Sequence, residues 1–193
     1  MKINGNIWFT SDLHFGDDRI TLYARDIFFK SIEDFEHKVI FNWRNKVEEK
    51  DTVYVLGDVA FTPLSCLKIK ELPGKKILIR GNYDRADMTA KDDVVRYLPE
   101  IFEEIYDDLL LELGGKIFYL NHFPDKCSEE LFNITGHVHG CWRFQRNMIN
   151  VSIDAWNFHL LDKNRLLFFY NNIKKYYDIN VFAGELKCNK IFN

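Results

Sequence analysis

Apolar residues in this chain fall into short continuous runs that end in polar corners, with helically spaced apolar positions between the runs. Asn6 to Phe9 reads as a short apolar strand ending at Thr10-Ser11-Asp12. Over residues 31–47, Ile32, Phe35, Val39, Trp43 and Val47 recur at helical spacing, and Ser31 with Asp34 forms a capping pair at the start. Thr52 to Leu56 is a second buried strand, closed by Gly57-Asp58. Pro63 to Leu72 reads as a helix stopped by Pro73-Gly74, and Lys76 to Ile79 is a third buried strand. Helical character returns around 86–97.

The pattern then changes. Ile101 to Leu113 and Lys116 to Asn121 flank Gly114-Gly115, which signals a hairpin. Further strands are expected near 133–138 and 148–153. Leu161 to Tyr177 fits two readings: Asp162 can cap a helix there, and Leu166 to Tyr170 can also be a strand. The tail 179–193 is weakly specified. An α/β first half followed by hairpins and a meander predicts two sheets packed face to face with helices outside.

The chain has 193 residues and no repeat, low-complexity tract or linker, so one domain is expected over 1–193. It is 47% hydrophobic and 16% aromatic, enough for a sizeable core. A formal net charge of −3 gives no global basic footprint for nucleic acid. Cys66, Cys127, Cys141 and Cys188 are scattered and read as free thiols of a reducing compartment. The N-terminus lacks the apolar stretch of a signal peptide, and no run approaches the roughly 20 apolar residues of a membrane span. A cytoplasmic protein without a membrane partner is expected; the oligomeric state is left open.

The chemistry sits where the strands end. Residues 77–84 read ILIRGNYD, and Gly81-Asn82 alone would be an ordinary turn. Strand one, however, ends in Asp12-Leu13-His14 and strand two in Gly57-Asp58; later strands end in Asn121-His122 and Gly136-His137-Val138-His139. The carboxyl ends of strands in an open α/β sheet line its ligand crevice. Five such ends deliver Asp12, His14, Asp58, Asn82, His122, His137 and His139 to one edge. Residues two apart in an extended chain point the same way, so Asp12 with His14, and His137 with His139, are each expected to grip one object. Imidazole, carboxylate and amide-oxygen donors suit divalent ions. Seven donors exceed the need of one ion and fit two ions sharing a carboxylate, the arrangement that handles in-line phosphoryl displacement.

The motifs DxH (12–14), GD (57–58), GNxD (81–84), NHFP (121–124) and GHVH (136–139) resemble the signature of calcineurin-like metallophosphoesterases, over residues 7–156. FTSDLHFG near the start and NVSIDAW at 150–156 look like the small bacterial and phage members. The resemblance implies a four-layer αββα sandwich of two mixed sheets. It implies Asp12, His14, Asp58 and His139 on one metal, and Asp58, Asn82, His122 and His137 on the other, with Asp58 bridging. Manganese is the first expectation, with iron, zinc, nickel or cobalt compatible.

Within the resemblance, the third motif usually reads Gly-Asn-His-Asp, its histidine protonating the leaving group and its acid orienting the histidine. Here Tyr83 takes that place. A phenol with a pKa near 10 is poorly matched to proton transfer at pH 7, so Asp84 loses its usual partner and is either structural or bonded to Tyr83. The expected function is a dinuclear phosphoesterase acting by in-line attack of a metal-bridging hydroxide on phosphodiesters rather than monoesters, with Asp58, Asn82, His122, Tyr83 and Asp84 as the catalytic set. Arg80 and Arg85 flank the motif and suit a phosphate oxygen or, equally, an acidic neighbour. Arg143 and Arg146 with Trp142 and Phe144 form a basic-aromatic patch able to stack a nucleobase. His37 reads as a surface residue, as does His159. The expected partner is a small phosphate ester or nucleotide. The alternatives are a metal-dependent nuclease, or a binding or scaffold module that kept the fold and lost turnover.

Overall fold

The computed structural model of the protein describes residues 5–89, 92–145 and 147–173, the side chains of Leu22, Tyr23 and Asp92 excepted. Strands β1 (Ile7–Thr10), β2 (Thr52–Val55), β3 (Lys75–Ile79) and β4 (Glu104–Tyr106) lie parallel in that order. The short β10 (Leu161–Asp162) runs antiparallel on the free side of β1. The intervening helices are α1 (Asp18–Ala24), α2 (Ile32–Arg44), α3 (Pro63–Lys70) and α4 (Asp92–Ile101). Strands β1 and β2 are buried along their whole length because both of their faces are covered. One face carries Trp8, Val53, Val55 and Leu78 against Phe35, Val39 and Trp43 of α2, Cys66 and Ile69 of α3, and Leu98 of α4. The other turns Ile7, Phe9, Tyr54, Leu56, Ile77 and Ile79 towards the second sheet.

That second sheet orders β5 (Asp108–Leu113), β6 (Lys116–Asn121), β7 (Phe132–Thr135), β9 (Met148–Asn150) and β8 (Phe144–Gln145). The β5–β6 and β8–β9 pairs are antiparallel, while β6–β7 and β7–β9 are parallel. Leu111, Leu113, Phe118, Leu120, Ile134 and Ile149 fill the space between the sheets. Leu166 of α5 (Lys163–Asn172) enters the same core, with Phe169 and Tyr170 packed against it. The result is the α/β architecture of two mixed sheets that the motifs implied. Among the described residues, no helix is long and apolar enough to cross a membrane, and Cys66, Cys127 and Cys141 are free thiols.

Several boundaries differ from the sequence expectation. Residues 101–113 are not one strand: Ile101 closes α4, β4 joins the first sheet, and after Asp107 the chain crosses to the second sheet as β5. An apolar run shows that a strand is buried but not which sheet receives it. The hairpin is real, with Gly114 and Gly115 at φ +57° and +73° turning β5 into β6. The second sheet is not a meander, since β6, β7 and β9 run parallel. Strand β7 stops at Thr135, short of the histidines, and the 148–153 strand shortens to β9 before a 3-10 turn at Ile153–Trp156. Over 161–177 the capping reading prevails: Asp162 accepts from the backbone N–H groups of Asn164 and Arg165 at 3.0 Å, and α5 follows. Helix α1 had no periodic signal, being only seven residues long. The tail 179–193 lies outside the described residues.

Trp43 is fully buried, and its Nε1 donates to the Pro73 carbonyl at 3.0 Å, fastening α2 to the corner before β3. Trp43→Ala is expected to lower stability by about 3–5 kcal/mol. Urea unfolding followed by far-UV circular dichroism measures this.

Candidate metal centre

All seven expected donors lie in loops that leave strands. The parallel ladder continues past β1 and β2 into these loops: Asp12 N–H donates to Gly57 O at 3.0 Å, and His14 N–H to Asp58 O at 3.0 Å. Backbone geometry then aims the side chains. Asp12, His14, Asp58, His137 and His139 all have positive φ, between +48° and +73°. Non-glycine residues rarely adopt this conformation, and it concentrates where a site demands a particular side-chain direction. Close approach adds a second requirement. A Cβ on Gly57, itself at φ +86°, would lie 2.5 Å from Gly81 N and from His122 Nδ1, and one on Gly81 would lie 2.3 Å from Asp58 Oδ1. Only glycine lets the second and third motifs touch beneath His122.

Six of the seven form two groups, Asp12–His14–His139 and Asp58–His122–His137, each with its ligand atoms within 4.8 Å of one another. Asp58 Oδ2 lies between them, 3.4 Å from His14 Nε2 and 3.5 Å from His122 Nε2. This grouping corrects one expectation: His137 and His139 do not grip one object. The chain there is a tight turn with both residues left-handed, and Val138 N–H bonds back to Gly136 O, so the alternation of an extended strand does not apply.

Hydrogen bonds fix the histidine tautomers. His122 Nδ1 donates to the Leu56 carbonyl at 2.6 Å, which leaves Nε2 as the free nitrogen, 3.2 Å from His137 Nδ1. His139 Nδ1 bonds Asp154 Oδ2 at 2.7 Å, freeing its own Nε2. Such partners are what orient a metal-binding imidazole. Among the described residues, seven buried side-chain polar atoms lack a hydrogen-bond partner, and three of them are His14 Nδ1, His14 Nε2 and Asn82 Oδ1. Buried groups of this kind are costly unless something pairs with them. Asn82 spends its amide nitrogen on Thr89 Oγ1 at 3.4 Å and leaves its oxygen for the site. Donor chemistry, free lone pairs and orphaned atoms all fit divalent cations.

Electrostatics agree. Burial works against the Asp58 charge, but the His122 and His14 imidazoles hold its carboxyl well below the usual range. Burial would likewise lower His122, but the Asp58 carboxylate outweighs it and pushes the imidazole up to about 9. Burial and the neighbouring His122 lower His137.

Three residues that sequence reasoning missed hold this arrangement. Arg25, fully buried, donates from Nε to Asp154 Oδ1 at 2.7 Å and from Nη2 to Asp154 Oδ2 at 3.0 Å. The same guanidinium reaches the carbonyls of Asp12 and Leu13 at 2.6 and 3.2 Å and stacks over Phe35. Asp154 therefore joins the first motif to His139. Burial raises its pKa, yet the bonds from His139 and Arg25 prevail and hold it at about 2. Asn150 fixes the His139 backbone, donating to its carbonyl at 2.7 Å. The signal was present in NVSIDAW, which contains Asn150 and Asp154; nothing in the sequence singled out Arg25.

The remaining expected residues divide. Asp84 does not bond Tyr83. It is fully buried and accepts three backbone N–H groups, from Asp58 at 2.7 Å, Gly81 at 2.8 Å and Val59 at 3.1 Å. It is a positioning residue that clasps the second and third motifs together. Tyr83 N–H donates to Asp58 Oδ1 at 2.9 Å, and its ring meets His14 edge-on at 4.7 Å. Arg80 and Arg85 both pair with Asp107, at 2.8 and 2.5 Å, which is the acid-paired alternative. Arg143 donates to the Ala155 carbonyl at 2.5 Å and lies over Trp156, and Phe144 packs against Trp156 and Phe169. Arg143 and Phe144 thus brace the Ile153–Trp156 turn, although Arg143 stays exposed; Arg146 lies outside the described residues. His37 is exposed, and His159 lines a separate surface pocket of about 380 Å³ with Lys46 and Arg165.

Two mixed sheets with two carboxylate–imidazole groups at their shared edge define a cation-binding α/β sandwich. The family comparison gives the class its name: the model of the calcineurin-like phosphoesterase family matches residues 5–188, and the chain belongs to that family. It is 31% identical over 166 residues to the uncharacterised MJ1445 protein of Methanocaldococcus jannaschii, covering 79% of this chain and 84% of that one. It is 29% identical over 200 residues to the gene 66 protein of Mycobacterium phage L5, covering 87% and 95%. Among solved structures it resembles AQ665 of Aquifex aeolicus, a protein of unknown function, with TM-score 0.67 and 27% identity over 84% of this chain and 98% of that one.

Two outcomes follow for cation binding. Asp154→Asn should weaken Mn²⁺ binding about 10–100-fold while the protein stays folded, as read by isothermal titration calorimetry and circular dichroism. Because Asp58 draws a proton onto His122 up to about pH 9, Mn²⁺ binding at pH 7 should release about one proton and tighten as pH rises. Titrations in two buffers of different ionisation enthalpy measure that release; equal heats in both would contradict it.

Proposed function

We propose that the protein is a dinuclear metal-dependent phosphoesterase with a preference for phosphodiesters. The observation that carries the reading is the pair of three-residue donor groups with Asp58 Oδ2 between them. The chemistry that two divalent ions supply when bound is activation of water for in-line attack on phosphorus and neutralisation of phosphoryl charge. Asp58 sets the separation of the two groups. The orphaned Asn82 Oδ1 and the free Nε2 of His122 complete one side, and Asp12, His14 and His139 the other. Asp84 keeps Asp58 and Asn82 in register through its three N–H bonds.

The diester preference rests on Tyr83. An imidazole near pKa 6.5 passes a proton to a leaving oxygen at neutral pH far better than a phenol near 10. A substrate whose leaving oxygen needs little protonation suffers least from the exchange. Manganese is the metal we would supply first. The acidic net charge favours a small phosphate ester over a nucleic acid, and free thiols at Cys66, Cys127 and Cys141 are consistent with a cytoplasmic setting.

The test is hydrolysis of bis-p-nitrophenyl phosphate and p-nitrophenyl phosphate, in Mn²⁺ and in chelator. Wild type should cleave the diester faster, only with metal. Tyr83→His should raise monoester turnover by about 10²-fold, the lower end of general acid catalysis. Asp58→Ala should abolish both activities in a folded protein; turnover retained in Asp58→Ala would sink the assignment.

A further inference from the structure

Beside the metal centre, on the His14 side, stands a second constellation that the cation chemistry does not use. Arg19 donates from Nε to Asp17 Oδ1 at 2.9 Å and from Nη2 to Asp17 Oδ2 at 2.8 Å. Asp17 is itself almost fully buried and caps α1 through Arg19 N–H at 3.1 Å, so the fork holds the guanidinium plane in a fixed orientation. The guanidinium carbon sits 4.5 Å from the centroid of the Phe61 ring. Nη2 also lies 3.5 Å from Tyr83 Oη, and the Tyr83 ring meets His14 at 4.7 Å. A continuous wall therefore runs from the donor His14 through Tyr83 to an arginine whose side chain is 55% exposed.

The hydrogen bonding decides what this arginine can do. Its Nε–Nη2 edge, one of the two that can fork a phosphate, is occupied by Asp17, Nη2 is shared with Tyr83 Oη, and the carboxylate offsets its charge. What remains is a flat cationic surface, backed on one side by Phe61. Planar guanidinium faces stack the bases of nucleotides, and an aromatic ring behind one stiffens it. Phe61 and Tyr83 are tilted 55° to each other at 6.2 Å, so they cannot sandwich a ring between them. The open face of Arg19 is the flat surface that the wall presents.

We propose that Arg19, oriented by Asp17 and backed by Phe61, is a stacking platform for a nucleobase, so that the substrate class is a phosphodiester carrying a nucleoside. This rests on the phosphoesterase reading for where the phosphate lies, and it is preferred to the Arg143 patch, whose arginine is held by the Ala155 carbonyl and Trp156. A free nucleotide and a nucleic-acid end share the chemistry, and the net charge of −3 favours the free nucleotide.

The experiment compares adenosine monophosphate with ribose 5-phosphate by isothermal titration calorimetry, in Mn²⁺ and again in chelator. The phosphates are equal, so the difference reports the base. Wild type should bind the nucleotide about tenfold more tightly, the contribution of one stacked base. Arg19→Lys keeps the charge and loses the plane; it should reduce the preference below about twofold with ribose 5-phosphate affinity unchanged. Phe61→Leu should lower the preference in the same direction and serves if Arg19→Lys fails to fold. Equal affinities in wild type, or a full preference kept by Arg19→Lys, would overturn the proposal. Competition between a dinucleoside monophosphate and a twelve-nucleotide single strand assigns the source: tighter binding of the former supports a free nucleotide, and tighter binding of the strand overturns that choice. Diester hydrolysis in Mn²⁺ is scored separately, so cleavage without base preference removes the platform and leaves the phosphoesterase standing.

Discussion

Charge buried at the mouth of a sandwich must be paired, and the rest of this structure follows from that demand. Asp12, His14, Asp58, Asp84, His122 and Arg25 are each at most 3% exposed. Such groups persist only where partners offset their lost hydration. Asp84 is answered by three backbone N–H groups. Arg25 is answered by Asp154 and two carbonyls. Among the buried polar atoms of the described residues that remain without a partner are both His14 nitrogens and the Asn82 oxygen, all three on candidate donors.

Holding that space open costs backbone strain. Five of the seven donors sit in the left-handed region. No local preference of Asp or His would keep five such residues there. Tertiary clasps do, through the Asp12–Gly57 and His14–Asp58 backbone bonds, the Asp84 clasp and the Arg25–Asp154 bridge. The aliphatic cores of both sheets supply the stiffness behind them. The strain and the clasps belong to one arrangement: left-handed residues after β1, β2 and β7 turn Asp12, His14, Asp58, His137 and His139 towards the space that Asn82 and His122 reach from the ends of β3 and β6.

Tyr83 is built into the edge of the candidate metal centre. Its backbone N–H secures Asp58, its ring covers His14, and its hydroxyl meets Arg19.

The sequence by itself determined the first three strands and β6, the helix α2, the hairpin at Gly114-Gly115 and the seven candidate donors that the fold brings to one edge. Each of these is a local signal: a run of apolar residues, a 3.6-residue period, a glycine pair, or a polar residue placed just after a strand. It did not determine that residues 101–113 divide between two sheets, because apolarity records burial and not the partner. It misjudged His137 and His139 because alternation holds only in extended chain. The second set of supports was also invisible. Arg25 and Asp154 are 129 positions apart, and Arg19 over Phe61 joins the start of α1 to the loop after β2. An arginine in sequence is a charge; only tertiary structure decides whether its edge is spent on a carboxylate and its face left open, because that depends on which side chains arrive from elsewhere to share the same few ångströms.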